Sequence, residues 1–308
     1  MGEKDITERH LEDYNDVFAD ILNVLMFGGE RRVLEDELEP LALTSEFRME
    51  TQEGGRRGVR EQERDIGKLW TKRKTAISVI GLDNQTDQDE TMPLRVMAYD
   101  GASYKSELLR IEQCRETNRA RAEAGKETAC ENDTRYPVIT LVLYYGDKPW
   151  RCARTLYESV EVDESLRPFV NDFRINLIEV AFLDKATVEQ FRSDFRFIAE
   201  YFVQKRRNEG YHPSSRRIRH VDETLKMMAA VTGNRMFEDR NFYERMKRGE
   251  NMVDYIEETM QKREEAGKQI GMEEGREHSI DRLTEFFVNE YPELTREQAA
   301  AKARGVLQ

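Results

Sequence analysis

The sequence has few of the residues that build disulfide frameworks or sulfur and imidazole metal sites. Its three cysteines, Cys114, Cys130 and Cys152, form no CxxC pair and leave one over in any disulfide scheme. This favours a reduced, cytoplasmic setting. The four histidines are scattered along the chain. Neither a zinc site nor a histidine-based catalytic triad is therefore indicated.

Long apolar runs are also absent. No run approaches the roughly 18 apolar residues that a membrane-spanning helix needs, so the sequence predicts no membrane span. Residues 1–5 lack the basic and apolar regions of a secretory signal. We expect a cytoplasmic protein that has no membrane partner.

The chain is rich in charge of both signs. Charged residues make up 36% of it and hydrophobic residues only 38%, whereas about a quarter of an average chain is charged. The core must be compact and much of the chain exposed. Lys and Arg number 49 against 61 Asp and Glu, a net charge of −12. Such a surface repels phosphate at long range, so any contact with nucleic acid must come from local basic patches.

The rest of the chain is organised around an apolar stretch at 76–85 with the period of a strand. Alternate side chains point the same way, which places Asp83 and Gln85 on one face and Asn84 on the other. Asp65, eighteen positions before Asp83, begins a second short apolar stretch. A basic turn at 71–75 joins this stretch to the one at 76–85. Two carboxylates and an amide oxygen suit a hard cation such as Mg²⁺. The alternative is ordinary turn chemistry, because Asp and Asn both favour turns.

Apolar spacing and glycine or proline positions predict the other elements. Helices are predicted over 13–28, 93–114, 188–203, 221–233, 251–265 and 280–307, the last with a tail broken at Pro292. Strands are predicted over 64–70, 137–145 and 175–183. Residues 33–43 indicate a short helix or an irregular segment, residues 44–64 a mobile loop, and residues 115–135 an exposed helical or disordered insertion. Gly267, Gly271 and Gly275 recur on a charged helix, which indicates a weak helix or a close helix–helix approach.

Arginines supply two candidate phosphate contacts. Arg95 lies near the start of the helix predicted at 93–114, where it can contact a phosphate or orient a carboxylate, or simply occupy the helix surface. The segment 205–220 is the densest basic region of the chain. Its arginines are Arg206, Arg207, Arg216, Arg217 and Arg219. The alternative is that these arginines pair with acidic residues of neighbouring helices.

Five stretches, at 17–29, 64–65, 81–86, 92–100 and 136–144, together resemble one known family in their order and spacing. The resemblance is to the Rpn family of recombination-promoting nucleases and transposases, in the PD-(D/E)XK superfamily. It covers roughly residues 10–185 well and the rest loosely. It implies an α/β fold with a restriction-endonuclease-like mixed sheet flanked by helices. The expected division is a nuclease-like domain at 1–185 and a helical C-terminal region at 186–308.

The resemblance also implies roles for individual residues. Asp65 matches the first metal-binding aspartate and Asp83 the acidic residue of the (D/E)-x-K element. Together with the backbone carbonyl of Asn84 they would hold Mg²⁺ or Mn²⁺. Gln85 stands where many relatives have lysine and would orient the attacking water, while Arg95 would clamp a phosphate. This branch usually has Glu at the position of Asp83, which is one methylene shorter.

The expected function is that of a Mg²⁺-dependent DNA endonuclease associated with recombination or mobile elements. One alternative is a catalytically degenerate nuclease fold that acts as a DNA-binding or protein-interaction module. Another is a helical scaffold built on the charged C-terminal half. Homo-oligomerisation through the C-terminal helices is a further expectation.

Overall fold

The structure is a computed structural model that describes residues 11–41, 48–53, 56–61, 66–72, 75–127 and 135–307, with only the backbone described at 48–53, 56–61, 75–77, 79 and 263. The chain divides into two compact units, with the division between Gly249 and Glu250. The boundary predicted at 185/186 concerns where a nuclease-like domain ends, and it stays a prediction.

The described elements alternate between strands and helices in the first unit and are helical in the second. The helices are α1 (Asn15–Leu25), α2 (Met92–Glu123), α3 (Leu156–Ser159), α4 (Lys185–Gln190), α5 (Phe195–Arg206), α6 (Val221–Thr232), α7 (Arg240–Lys247), α8 (Met252–Glu290) and α9 (Arg296–Val306). The strands are β1 (Leu38–Pro40), β2 (Arg48–Glu53), β3 (Arg56–Glu61), β4 (Ile66–Lys72), β5 (Thr75–Gln85), β6 (Val138–Tyr144) and β7 (Asn176–Glu179). The predicted α/β class is confirmed at this coarse level.

A five-stranded mixed sheet forms the centre of the first unit, in the order β1-β4-β5-β6-β7. The pairs β1/β4 and β4/β5 are antiparallel, whereas β5/β6 and β6/β7 are parallel. Parallel neighbours need a crossover, and α2 supplies the one between β5 and β6. The apolar stretch singled out in the sequence is therefore the middle strand of the sheet.

The two faces of the sheet are covered by different helices. On one face, Met92 and Val96 of α2 pack in a core with Val142 and Tyr144 of β6 and with Trp150. On the other, the ammonium of Lys68 lies over the ring of Phe18 in α1, and Tyr145 contacts Phe202 of α5. The side chains of β5 alternate between these faces, so its polar end presents groups to both.

Helix α1 confirms the helix predicted at 13–28, with tighter bounds. Val17, Phe18, Ile21 and Leu22 are fully buried, as their three- and four-residue spacing requires. After the helix, Gly28 and Gly29 adopt positive φ angles of 60° and 89°, which side-chain-bearing residues rarely adopt. The sharp turn at this point leads the chain back toward β1.

The prediction of a loop at 44–64 is wrong for residues 48–53 and 56–61. Residues 48–53 and 56–61 pair as the antiparallel hairpin β2/β3, with Arg48 opposite Glu61 and Glu53 opposite Arg56. The glycines and the polarity of this segment favour a loop. However, Gly-Gly between two six-residue segments also favours a two-residue hairpin connection.

Two predicted elements in the middle of the chain are interrupted by polar contacts. The strand predicted at 175–183 stops at Glu179, and residues 180–182 form a 3-10 turn. The carbonyl of Ala181 accepts a hydrogen bond of 2.7 Å from Arg206. The helix predicted at 188–203 is split into α4 and α5. Between α4 and α5, the side chain of Asp20 accepts hydrogen bonds from the backbone amides of Arg192 and Ser193, at 2.7 Å each.

Helices run further than predicted in two places. The insertion predicted at 115–135 is helical as far as Glu123, as the end of α2. The helix predicted at 251–265 continues to Glu290. It passes through Gly267, Gly271 and Gly275, and an added Cβ at each of these would meet no atom within 4 Å among the described residues. Ion pairs one turn apart, such as Glu258–Lys262, support this exposed stretch.

The second unit is a pair of helices. Helix α8 ends at Glu290, and Thr295 caps α9 with a capping box, so the break predicted near Pro292 is confirmed. Ala299 and Ala303 of α9 are buried, and Lys302 lies over the rings of Phe287 and Tyr291. Across the parts of both units that the structure describes, no helix combines the length and apolarity needed to cross a membrane.

Candidate active site

The carboxyl end of β5 carries the acidic and amide side chains that the sequence singled out. Asp83 and Gln85 point to the face covered by α2, and Asp83 is only 1% exposed. The side-chain amide of Gln85 donates a short hydrogen bond to Oδ1 of Asp83. The structure therefore brings Asp83 and Gln85 into direct contact. The strand alternation is what makes the Asp-x-Gln spacing place both on one face.

Arg95, in the first turn of α2, reaches back to this pair. Its Nη1 donates to Oδ2 of Asp89 at 2.8 Å and to Oε1 of Gln85 at 3.4 Å. Its Nη2 donates to the hydroxyl of Tyr99 at 3.1 Å and lies 3.7 Å from Oδ2 of Asp83. Burial alone would lower the pKa of Arg95, but Asp83 and the hydrogen bond to Asp89 outweigh burial and raise it. Arg95 is thus a permanent cation that faces two carboxylates.

The loop between β5 and α2 is held by Asp89. Its Oδ1 accepts from the backbone amide and the hydroxyl of Thr91, at 2.8 and 2.7 Å. Burial raises the pKa of Asp89, but the hydrogen bonds from Thr91 and Arg95 are together stronger and lower it. The ionised carboxylate therefore fixes both the start of α2 and the guanidinium of Arg95. Asp89 was missed in the sequence, where it is one of several acids in a polar loop.

Asn84 points to the opposite face of β5, where it meets two buried groups. Its Nδ2 donates to Oε2 of Glu12 at 2.6 Å, and its Oδ1 accepts from the hydroxyl of Tyr145 at 3.1 Å. That hydroxyl has a single proton, which it shares between Oδ1 of Asn84 and Oε1 of Glu12, 3.0 Å away. Neither Glu12 nor Tyr145 was identified from the sequence. Glu12 and Asn84 are 72 positions apart, and no local pattern connects them.

The second predicted aspartate, Asp65, lies outside the described residues. In the sequence it immediately precedes Ile66, which pairs with Leu82, the residue before Asp83. In the part of the chain that the structure describes, no three His, Cys, Asp or Glu side chains are grouped as metal ligands would be. The donor chemistry at the end of β5, a buried carboxylate beside amide and carbonyl oxygens, fits Mg²⁺ or Mn²⁺. The resemblance assigns the second carboxylate to Asp65.

The arginines of the basic segment have two kinds of surroundings. Arg206 and Arg216 donate to the backbone carbonyls of Ala181 and Phe191, at 2.7 and 2.9 Å. Arg219 pairs with Asp16 of α1 at 2.8 Å. Only the Arg219–Asp16 contact, among those seen in the described residues, matches the alternative in which these arginines pair with acidic residues of neighbouring helices. Arg207 and Arg217 are exposed, as Arg216 and Arg219 also are. Within the described residues, Arg207 and Arg217 make no such hydrogen bond or ion pair, so they remain the better candidates for a phosphate contact.

A cavity of about 290 Å³ lies beyond the ends of the parallel strands β5 and β6. Its lining includes Asp87, Asp147 and Lys205, together with Phe202 and Tyr145. Crevices in this position are where open α/β sheets bind their ligands. Lys205 thus brings one end of the basic segment close to the loop that follows Gln85. Because Asp87 and Asp147 line the same cavity as Lys205, the local charge there is mixed.

Comparison with known proteins adds no assignment to this geometry. No family model, no curated protein and no solved structure matches the chain.

Proposed function

We propose that this chain is a Mg²⁺- or Mn²⁺-dependent DNA endonuclease with a restriction-endonuclease-like core. One observation carries the proposal: Asp83 and Gln85 meet at the end of a middle strand that is antiparallel to β4 and parallel to β6. A helix, α1, precedes these strands, and the crossover α2 returns Arg95 to the same point. The resemblance to the Rpn family leads one to expect an acidic residue two positions before a glutamine, and here the acidic residue is Asp83 rather than the usual Glu.

In this proposal, Asp65, Asp83 and the backbone carbonyl of Asn84 hold the cation. A bound divalent cation would supply positive charge for the phosphate and lower the pKa of a water ligand. Gln85 has both a donor and an acceptor on its amide, so it can orient the attacking water through a hydrogen bond. It cannot supply the positive charge of the lysine found in many relatives. Arg95 supplies a positive charge instead, and its position beside Gln85 suits a clamp on the scissile phosphate.

The net charge of −12 requires that DNA be held by a local surface. Arg207 and Arg217 are exposed parts of the basic segment, and Lys205 lines the cavity beyond β5 and β6. We assign the phosphate-backbone contacts to this region. The association with recombination or mobile elements, and self-association through the C-terminal helices, rest on the family resemblance and on the composition.

A specific observation favours a second candidate, a catalytically degenerate fold that binds DNA or protein. Arg95 lies 3.7 Å from Oδ2 of Asp83, and Gln85 already donates to Oδ1. These neighbours compensate the buried carboxylate without a metal ion. In such a protein the site would stabilise the fold rather than catalyse a reaction.

Divalent-ion titration of two activities separates the candidates. DNA binding is followed by fluorescence anisotropy, and nicking of a supercoiled plasmid by gel electrophoresis, across a series of Mg²⁺ and Mn²⁺ concentrations. The nuclease nicks only when the cation is present, and chelation with EDTA stops it. The binding module retains DNA and shows no cation-dependent nicking. That result would remove the endonuclease proposal and leave the second candidate.

A further inference from the structure

The carboxylate of Glu12 is buried on the side of the sheet opposite Asp83. Glu12 lies three residues before α1 and is 0% exposed, while Asn84 and Tyr145 are 5% and 2% exposed. Burying a carboxylate is costly unless it accepts hydrogen bonds. Oε2 of Glu12 accepts one from Asn84, and Oε1 shares the proton of the Tyr145 hydroxyl with Asn84. A side chain kept in such a place must contribute something that an apolar residue would not.

The arrangement fixes the orientation of Asn84. Asn84 turns its Nδ2 toward Glu12, whose Oε2 accepts the hydrogen bond. Its Oδ1 is then directed at the hydroxyl of Tyr145, which lies 3.1 Å away. Both ends of the amide are therefore held, in addition to the backbone bonds of the sheet.

Tyr145 also holds the next residue of the strand. Its backbone amide donates to the carbonyl of Gln85 at 2.8 Å. Asn84 stands between Asp83 and Gln85, so the peptide groups on both sides of it belong to the candidate site. These hydrogen bonds connect the segment before α1 with the ends of β5 and β6. They lie on the face of the sheet opposite the contact between Asp83 and Gln85.

We propose that Glu12, Asn84 and Tyr145 form a positioning network that sets the placement of Asp83 and Gln85. The inference rests on the proposed function for its catalytic consequence, although the ordering of the strand end is a property of the fold. A displacement of about 1 Å of reacting groups can cost about 100-fold in rate. A network that touches neither substrate nor cation can therefore control turnover.

The test uses the full chain and compares Tyr145→Phe with Tyr136→Phe. Tyr136 is a matched control because its buried hydroxyl donates to Oε2 of Glu107 at 2.6 Å, just before the opposite end of β6. Each variant loses one hydroxyl that hydrogen-bonds a carboxylate, so both should lose thermal stability to a similar extent. Glu12→Gln is the second network variant, since it keeps the shape and replaces one accepting oxygen with an NH₂ group that donates.

Two readouts separate positioning from stability. In Tyr145→Phe and Glu12→Gln, kcat for Mg²⁺-dependent nicking should fall about tenfold or more with little change in KM. Hydrogen exchange of peptides that contain residues 82–87 should accelerate in both. Tyr136→Phe should change neither. The proposal is wrong if Tyr145→Phe and Tyr136→Phe give the same exchange at 82–87.

Failure of the proposed function would look different. If the wild-type chain does not nick DNA in Mg²⁺ or Mn²⁺, the endonuclease proposal fails, and hydrogen exchange alone still decides whether the network orders the strand end. If the wild type nicks and both network variants retain its kcat, the endonuclease survives and the positioning role is refuted.

Discussion

Replacing Arg95 with methionine should destabilise the first unit by leaving two carboxylates without their guanidinium. Arg95 lies 3.7 Å from Oδ2 of Asp83, whose side chain is 2% exposed. Two unit charges at this separation interact by about 4 kcal/mol at an effective dielectric constant of about 20. The side chain of Arg95 is 29% exposed, so screening reduces the expected loss to about 2–3 kcal/mol. In a unit of this size that is a fall in Tm of about 5–10 °C.

A divalent cation should offset this loss if Asp83 is a metal ligand. A ligand that binds only the folded chain stabilises it by about 2.7 kcal/mol at 100 times its Kd. Without the competing charge of Arg95, Arg95→Met should bind Mg²⁺ more tightly than the wild type, so its Tm should rise more as Mg²⁺ is added. The assay is thermal unfolding followed by circular dichroism, with and without Mg²⁺.

Arg119→Met is the control on the same helix, because the Arg119–Glu123 pair is mostly exposed. It should cost less than about 0.5 kcal/mol. A loss below about 1 kcal/mol for Arg95→Met would refute the electrostatic reasoning. Equal gains in Tm with Mg²⁺ for Arg95→Met and the wild type would mean that the cation does not bind beside Asp83.

Three further predictions concern the site and the basic segment. Asp83→Glu should raise the nicking rate because it restores the longer arm usual in this branch; an unchanged rate with normal Mg²⁺ affinity would mean that the pocket is adapted to aspartate. The pKa of Asp89 is lowered in the folded state, so its stabilising contribution is present above the unfolded value of about 3.9 and is lost as the pH falls through the folded value. Asp89→Asn should therefore flatten the acid limb of the stability curve, measured by urea unfolding at a series of pH values, and an unchanged limb would contradict the assignment. Serine at Arg207 and Arg217 should weaken DNA binding and lower the slope of log K against log salt by about 0.9 per lost contact, without a change in Tm; an unaltered slope would mean that these arginines do not contact phosphate.

The elements with strong periodicity could be predicted from the sequence. Strand β5 and helix α1 follow from regular apolar spacing, and Pro93 marks the first turn of α2. The composition of a segment was misleading where it is compatible with both a loop and a pair of strands. In the sequence, the glycines at 54–55 fit both a loop and a hairpin turn between β2 and β3.

The candidate site was predictable only along the strand that carries it. The alternation of β5 places Asp83 and Gln85 together, as the sequence indicated. The partners supplied by other elements were not predictable. Glu12 reaches Asn84 across 72 positions, and Tyr145 reaches Glu12 across 133. Such pairs depend on how the sheet and the helices pack, which a single sequence does not encode as a local pattern.

The central claim is that the carboxylate of Asp83 acts in cation-dependent cleavage of DNA. The most direct measurement is single-turnover nicking of a supercoiled plasmid by the wild type and by Asp83→Asn, which keeps the shape and removes the charge. Asp163→Asn, at an exposed carboxylate that binds Ser165, is the matched control. We expect nicking by the wild type and Asp163→Asn in Mg²⁺ but not in EDTA, and a rate at least about 100-fold lower for Asp83→Asn. Equal rates for Asp83→Asn and the wild type would contradict the account.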